Sequence, residues 1–325
     1  MKETDTPKHP GASYSITGGY AALKDGAAIV DHPDRALLRL SGKDPRGMLN
    51  AILSNDVPAD ESRGVYAMLL NPKGRILSGL RVLKSNEEIL IEAEAGGAAS
   101  AKETLGRYAP FSRVKVEDLS DSWSVMGIYG HGAETLLDCP ALAEHETAEI
   151  EVDGATLLTA GVLTPAPGYD LIGPSEVVAA ARDRLVARGA TPADHSAYET
   201  VRIETGVPRY GADITPDNFP GETGLLERAV NFHKGCYPGQ ETVARMHYRG
   251  HPNKTLYRLA IEGHPPELGE NIIQAGKVVG FITSVAPLPV EDRILALGYL
   301  SRTADIEEPL QTREAGISPL GPVGS

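Results

Sequence analysis

Lys234-Gly235-Cys236-Tyr237-Pro238-Gly239-Gln240-Glu241, continued by Thr242-Val243-Ala244-Arg245, is the stretch from which the rest of the chain is read. Its glycines and proline interrupt any strand or helix through the middle. Tyr237 is its one large apolar side chain. A polar, Gly-rich segment of this kind belongs at the surface, where loops carry function on a rigid scaffold. Cys236 is the strongest intrinsic nucleophile in it, and nearby cations such as Lys234 and Arg245 lower a thiol's pKa. The competing reading is a small buried hydrophobe, a common fate of free cysteine.

Beyond the motif, Gly250-His251-Pro252 marks a change of character. Leu256 to Ile261, Asn271 to Gln274, Lys277 to Ser284 and Ile294 to Leu300 are β-type runs separated by Gly/Pro turns. They predict a small all-β barrel over residues 253–302, followed by a loose tail at 303–325. Before the motif, Val207 to Thr223 is irregular and rich in Pro and Gly, which in a compact protein marks a functional segment. Ahead of that, a helix is expected from Thr191-Pro192 to Thr205, stopped by Gly206. Arg202 and Glu204 sit near its end. Glu204 either forms a surface pair with Arg202 or accepts two hydrogen bonds from a heterocycle's N–H and amino groups.

Residues 25–252 read as two α+β units, 25–120 and 121–252, after a flexible lead-in at 1–24. In the first, Asp44-Pro45 is a helix start. Asn71-Pro72-Lys73-Gly74 is a hairpin turn between strands 65–70 and 75–84, and a helix follows Gly96-Gly97. In the second, strands at 123–129 and 169–172 flank an irregular acidic stretch, 141–151, and a helix follows Ser175. The two patterns partly mirror each other, as a structural repeat would.

Composition bounds the function. The 325 residues carry a net charge of −13, and a general nucleic-acid-binding face needs the opposite sign. The chain has two cysteines, Cys139 and Cys236, and no CxxC pair, so a protein-only zinc or iron–sulfur site lacks ligands and no metal site is expected. Two free thiols suit a reducing cytoplasm. Neither a secretory signal nor a membrane span is read, so the expectation is a soluble cytoplasmic protein. A Cys–His thiol enzyme is a further reading of the motif, with His233, His247 and His251 as candidate bases.

The motif Lys234-Gly235-Cys236-Tyr237-x-Gly239-Gln240-Glu241-x-x-Ala244-Arg245 resembles the signature of the YgfZ-type folate-binding proteins, which act in iron–sulfur cluster assembly or repair. The resemblance spans residues 25–302. It includes Leu53-Ser54-Asn55-Asp56-Val57, Leu70-Asn71 and Arg202-x-Glu204-x-Gly206, segments that also resemble the glycine-cleavage T-protein, an aminomethyltransferase. That kinship implies an α+β fold of three domains in a T-protein-like ring around a central channel, closed by the C-terminal all-β barrel. It implies tetrahydrofolate as cofactor, with Glu204 reading the pterin. Tyr66, Asn71, Arg202, Lys234, Tyr237, Gln240 and Arg245 are implied around the folate.

The implied function is that of a tetrahydrofolate-binding accessory factor whose partners are iron–sulfur proteins or their assembly machinery, with Cys236 as the key thiol. A folate-dependent aminomethyl or one-carbon transferase is the alternative. The T-protein carries acidic residues, its catalytic aspartate among them, just after the hairpin turn. Here that place reads Gly74-Arg75-Ile76-Leu77-Ser78-Gly79, with neither Asp nor Glu.

Overall fold

The computed structural model describes residues 16–85, 88–152 and 154–324. Helix α1 (Ile16–Asp25) and strand β1 (Ala28–Asp31) lead into the first sheet. That unit runs β2 (Arg35–Gly42), α2 (Pro45–Ile52), β3 (Val65–Leu70), β4 (Ile76–Ser85), β5 (Glu88–Glu94), α3 (Ala95–Ser112) and β6 (Val114–Asp118). Helix α2 starts where Asp44 accepts the Gly47 amide at 2.8 Å and Pro45 takes the first position, and it buries Met48, Leu49 and Ile52. These side chains and Leu105 of α3 cover one face of the sheet through Leu38, Leu80, Val82 and Ile91.

The second unit repeats the order. It runs β7 (Trp123–Tyr129), α4 (Ala133–Leu137), β8 (Thr147–Val152), β9 (Ala155–Val162), β10 (Gly168–Pro174), α5 (Ser175–Ala187) and β11 (Thr191–Pro192). The first sheet is ordered β3-β4-β5-β2-β6 and the second β8-β9-β10-β7-β1-β11. Replacing each strand of the first by its counterpart in the second gives the same order, with β1 inserted between β7 and β11. The mirrored pattern in the sequence is therefore a repeat in topology. The two sheets also pack on each other through Leu37, Leu83 and Leu90 against Val125, Leu158 and Ile172. Sheets covered on both sides explain why β4, β5 and β9 read as near-continuous apolar runs.

Helix α6 (His195–Thr205) follows, then an irregular segment holding α7 (Leu226–Ala229), then α8 (Gln240–Arg249). The chain ends in a closed barrel of β12 (Lys254–Gly263), β13 (Asn271–Gln274), β14 (Lys277–Val285), β15 (Ile294–Ser301), β16 (Leu310–Gln311) and β17 (Ala315–Pro322).

Several expectations are corrected. The tail at 303–325 is not loose: β17 pairs along β12 from Gly263 to Tyr257 and removes an open barrel edge. Its Gly316, Pro319 and Gly321 disguise it as a turn, and a bulge at Arg258/Leu259 absorbs the proline. Residues 1–15 of the lead-in lie outside the described residues, but α1 is a helix docked on α6. Gly19 permits close approach to α6 and the segment that enters it, because a Cβ there would lie 3.0 Å from the Ala193 Cα and 3.4 Å from the Ala197 Cβ. Strand β1 joins the second sheet rather than the first unit. Residues 147–151, read as irregular, lie in β8. Helix α6 begins after Asp194, whose carboxylate accepts the Ala197 amide at 2.9 Å, because Thr191-Pro192 is used as a sheet strand beside β1.

Candidate functional site

A cavity of about 110 Å³ lies between the two sheets, walled by α6 and by the segment from Val207 to Arg228. One of its faces comes from a single cross-strand row. Tyr66 on β3, Arg81 on β4 and Glu92 on β5 are in register, so all three project to the same side. Gly79, two residues before Arg81, leaves room for the Tyr66 ring: a Cβ there would lie 2.2 Å from the Tyr66 hydroxyl.

Buried charges are paired across the two repeats. Arg81 Nη1 donates to Glu92 at 2.8 Å and also to Asp170, which stands on β10, the counterpart of β5. Glu92 accepts a second guanidinium, Arg35. Asp170 accepts the Tyr129 hydroxyl, and Tyr129 meets His32 Nε2 at 2.7 Å. Burial, with Arg35 beside it, holds the His32 imidazole well below its usual range and so neutral. Arg81 remains charged because Glu92 and Asp170 outweigh the cost of its desolvation.

The opposite wall is built by α6. Tyr198 and Glu199 face the cavity. Arg202 holds Glu199 through two bonds, Nε to Oε1 at 3.0 Å and Nη2 to Oε2 at 2.9 Å. Arg202 Nη1 also donates to Asp213 at 2.7 Å. Asp213 in turn accepts the hydroxyls of Thr283 and Ser284 at 2.6 and 2.7 Å. The barrel therefore fixes α6 through Asp213 and Arg202. Glu94, at the end of β5, also faces the cavity and accepts the Tyr210 amide at 2.5 Å. Desolvation raises its carboxyl to about 7, against the pull of Arg35.

Some polar atoms on the walls have no hydrogen-bond partner among the described residues. They are Arg81 Nε and Nη2, Arg228 Nε, and both ring nitrogens of His145. Buried polar groups are nearly always paired, so such a cluster marks where a ligand or solvent supplies the partners. His145 is only 7% exposed.

The residues singled out in the sequence separate into three places. Tyr66 and Arg202 line the cavity, and so do Arg209 and Arg228. Glu204 does not. Its carboxylate accepts Lys24 Nζ at 2.7 Å and the Tyr20 hydroxyl at 2.9 Å, both from α1 on the far side of α6. Asn71 closes the hairpin turn, its side-chain oxygen accepting the amides of Lys73 at 2.9 Å and Arg75 at 3.1 Å.

The signature motif forms the third place. Lys234 Nζ donates to the carbonyls of Asn50, Leu53 and Asn55 at 3.0, 2.7 and 2.8 Å, satisfying the open end of α2. Tyr237 is buried among Met68, Leu70, Ile76 and Val243. Gly239 has φ of +79°, and a Cβ there would lie 2.5 Å from the Asn71 carbonyl oxygen. The motif thus clamps its loop onto α2 and the hairpin of the first unit. Gln240 is half-buried at the start of α8. Cys236 and Arg245 are exposed, and none of these motif residues lines the cavity. Cys139 is buried, and burial pushes its thiol up to about 11.

Sequence reasoning missed Glu94, Glu199, Arg81, Asp170 and His145. A signal existed for two of them. Arg81 and Asp170 interrupt strands that are otherwise buried, and a charge in such a strand must have a partner.

Residues 8–234 match the model of the GCVT N-terminal domain family. The chain is 26% identical over 296 residues to the aminomethyltransferase of Rubrobacter xylanophilus, a match covering 88% of this chain and 79% of that protein. With the aminomethyltransferase of Saccharopolyspora erythraea the identity is 27% over 296 residues, covering 86% and 80%. The fold matches the crystal structure of glycine cleavage system aminomethyltransferase T from Bartonella henselae with a TM-score of 0.83, at 20% identity, over 95% of this chain and 88% of that one.

Proposed function

The chain belongs to the GCVT N-terminal domain family, and from that premise we propose that it binds a reduced folate in the cavity between its two repeats. The observation that carries this reading is the cluster of partnerless polar atoms on Arg81, His145 and Arg228 around a cavity that tyrosines and carboxylates also line. A pteridine has a flat ring, a donor edge and acceptor atoms, and these residues complement each part.

Glu199, clamped by Arg202, is suited to accept the N–H and amino hydrogens that the sequence reading gave to Glu204. Tyr66 and Tyr198 present aromatic surface. Arg209 and Arg228 offer positive charge to an anionic tail, in a chain whose net charge of −13 would otherwise repel it. Tetrahydrofolate, when bound, supplies the carrier chemistry for one-carbon units. This chain's own residues would hold it, orient it and exclude water.

We further read Cys236 as the thiol through which the protein serves iron–sulfur proteins. Its exposure, on a loop clamped outside the cavity, supports action on a macromolecular partner rather than on the folate. The second reading, a folate-dependent one-carbon transferase, draws on Glu94. A cavity carboxyl near 7 can hold or release a proton at neutral pH. The relatives named aminomethyltransferase favour it too. Formation of methylene-tetrahydrofolate from an aminomethyl donor would decide for it.

The primary test is calorimetric titration with tetrahydrofolate. Glu199→Gln should weaken binding by about tenfold or more, as loss of a charged acceptor does. Glu204→Gln should leave affinity within about twofold of wild type, because its carboxylate is used by α1. The reverse ranking would return the pterin to Glu204. For the thiol, Cys236→Ser should impair iron–sulfur enzymes in stressed cells while the melting temperature stays unchanged. Full support by the variant would remove that role.

A further inference from the structure

The signature loop and α8 build a second surface, outside the cavity. The Phe232 ring stacks on His247, in the last turn of α8, with 4.2 Å between centres and 17° between planes. Seven residues later Gly239 leads into the first turn of the same helix. The loop therefore runs back along α8, about 15 Å, and the exposed Cys236 stands within it. Tyr248 meets the Phe232 and His247 rings edge-on at 5.6 and 4.8 Å, yet is 65% exposed. An aromatic cluster left open to solvent among polar groups marks a contact surface.

His247 also borders a hollow of about 130 Å³, walled by Phe219, Leu226, Val243 and Met246. Gly221 keeps it open: a Cβ there would meet only Met246 Sδ, at 3.5 Å. Charge sets this region apart. Residues 231–258 carry five basic side chains and one acidic one, in a chain of net charge −13. Three of the five are occupied. Lys234 caps α2, Lys254 lies 4.6 Å over the Tyr299 ring, and Arg258 donates to the Glu204 carbonyl at 3.2 Å. Arg245 and Arg249, one turn apart on the exposed side of α8, make no ion pair or side-chain hydrogen bond among the described residues. Free arginines, an exposed tyrosine and an apolar hollow are the groups that concentrate binding energy at protein interfaces.

We propose that this face of α8 is the docking surface for the protein that Cys236 serves, and that it takes an acidic segment of an iron–sulfur protein carrying one large apolar anchor. This rests on the reading of Cys236 given above. Carboxylates of the partner meet Arg245 and Arg249, and its anchor enters the hollow beside Met246. The thiol then lies next to the docked chain, so the surface supplies the selection that a lone thiol lacks. A nucleic acid fits less well, because two free arginines on an acidic protein give too little charge for a phosphate backbone.

Photocrosslinking in living cells tests it, with p-benzoylphenylalanine in place of Tyr248 and the adducts identified by mass spectrometry. They should be dominated by iron–sulfur proteins of net negative charge. Arg245→Glu with Arg249→Glu should cut their yield about fivefold or more, because like charges then face each other. Gly221→Leu fills the hollow without changing charge and should cut it by a similar factor. Melting curves check that both variants are folded; the arginine pair, exposed and unpaired, should melt with the wild type, and it decides alone if Gly221→Leu unfolds. Absence of adducts overturns the inference, as do adducts undiminished by the charge reversal or formed with RNA, with basic proteins or with a second copy of this chain. The thiol reading fails separately: if Cys236→Ser keeps the adducts and also fully supports iron–sulfur enzymes, the surface stands and the thiol's role falls.

Discussion

Lys234 Nζ lies 2.7 Å from the carbonyl oxygen of Leu53, the residue that caps the C-terminus of α2. With the carbonyls of Asn50 and Asn55 it completes a three-acceptor cap, delivered across 181 residues of chain. The most conspicuous cation of the signature motif is thus occupied by helix-end carbonyls. Lys234→Met should destabilise the protein by about 1–3 kcal/mol, because three carbonyls lose a charged donor in a half-buried place. Urea unfolding measures it, and a midpoint equal to wild type would show the cap to be idle. Tetrahydrofolate affinity per folded molecule should not change.

Arg202 is expected to be the most costly single truncation in the cavity wall. Its guanidinium joins Glu199 to Asp213, and the Asp213 side chain is 0% exposed. Arg202→Met leaves that carboxylate buried without its cation, which costs roughly 3–5 kcal/mol. Because Asp213 also accepts Thr283 and Ser284, the loss should loosen the barrel against α6. Hydrogen exchange of the α6 and β14 amides reads that loosening directly.

Glu94 should leave a pH signature. Its folded-state carboxyl is raised to about 7 from an ordinary value of 4.5. The folded protein therefore binds a proton that the unfolded chain has already released between these values. Stability on this account is full below pH 4.5, falls as pH rises through the window, and levels off above 7. The total is about 1–3 kcal/mol, discounted for the side chain's contact with cavity solvent. Glu94→Gln should flatten that slope in unfolding measured between pH 4.5 and 7.5. A slope unchanged by the substitution would assign the window to other groups.

The two thiols should separate cleanly. Cys236 is exposed, while Cys139 is buried with its thiol pushed up to about 11. At pH 8, iodoacetamide should label one thiol per native chain, located by mass spectrometry at Cys236, and a second only after denaturation. Labelling of Cys139 in the folded protein would contradict its burial.

Much of the architecture was legible in local chemistry. Asp44-Pro45 starts α2, and Asn71-Pro72-Lys73-Gly74 turns the hairpin, because caps and turns depend on a few adjacent residues. The barrel's first strands and the mirrored order of the two repeats follow from apolar runs between breakers. The strand at 315–322 was not legible. Its glycines and prolines oppose β structure locally, and only the open edge of β12 makes pairing there favourable.

The functional site shows the division most clearly. By itself, the sequence determined that α6 carries carboxylates at 199 and 204. Five residues along an α-helix turn it through roughly 140°, so the two side chains point to different sides. Which side is the cavity is decided by α1. That helix packs on α6 and draws Glu204 to Lys24 and Tyr20, leaving Glu199 to face inward with Arg202. No local pattern contains that choice, because the docking partner lies about 180 residues earlier in the chain. The signature loop repeats the lesson. Its residue types marked it as special, but only the tertiary structure shows that Lys234 and Gly239 clamp it in place while Cys236 is left at the surface.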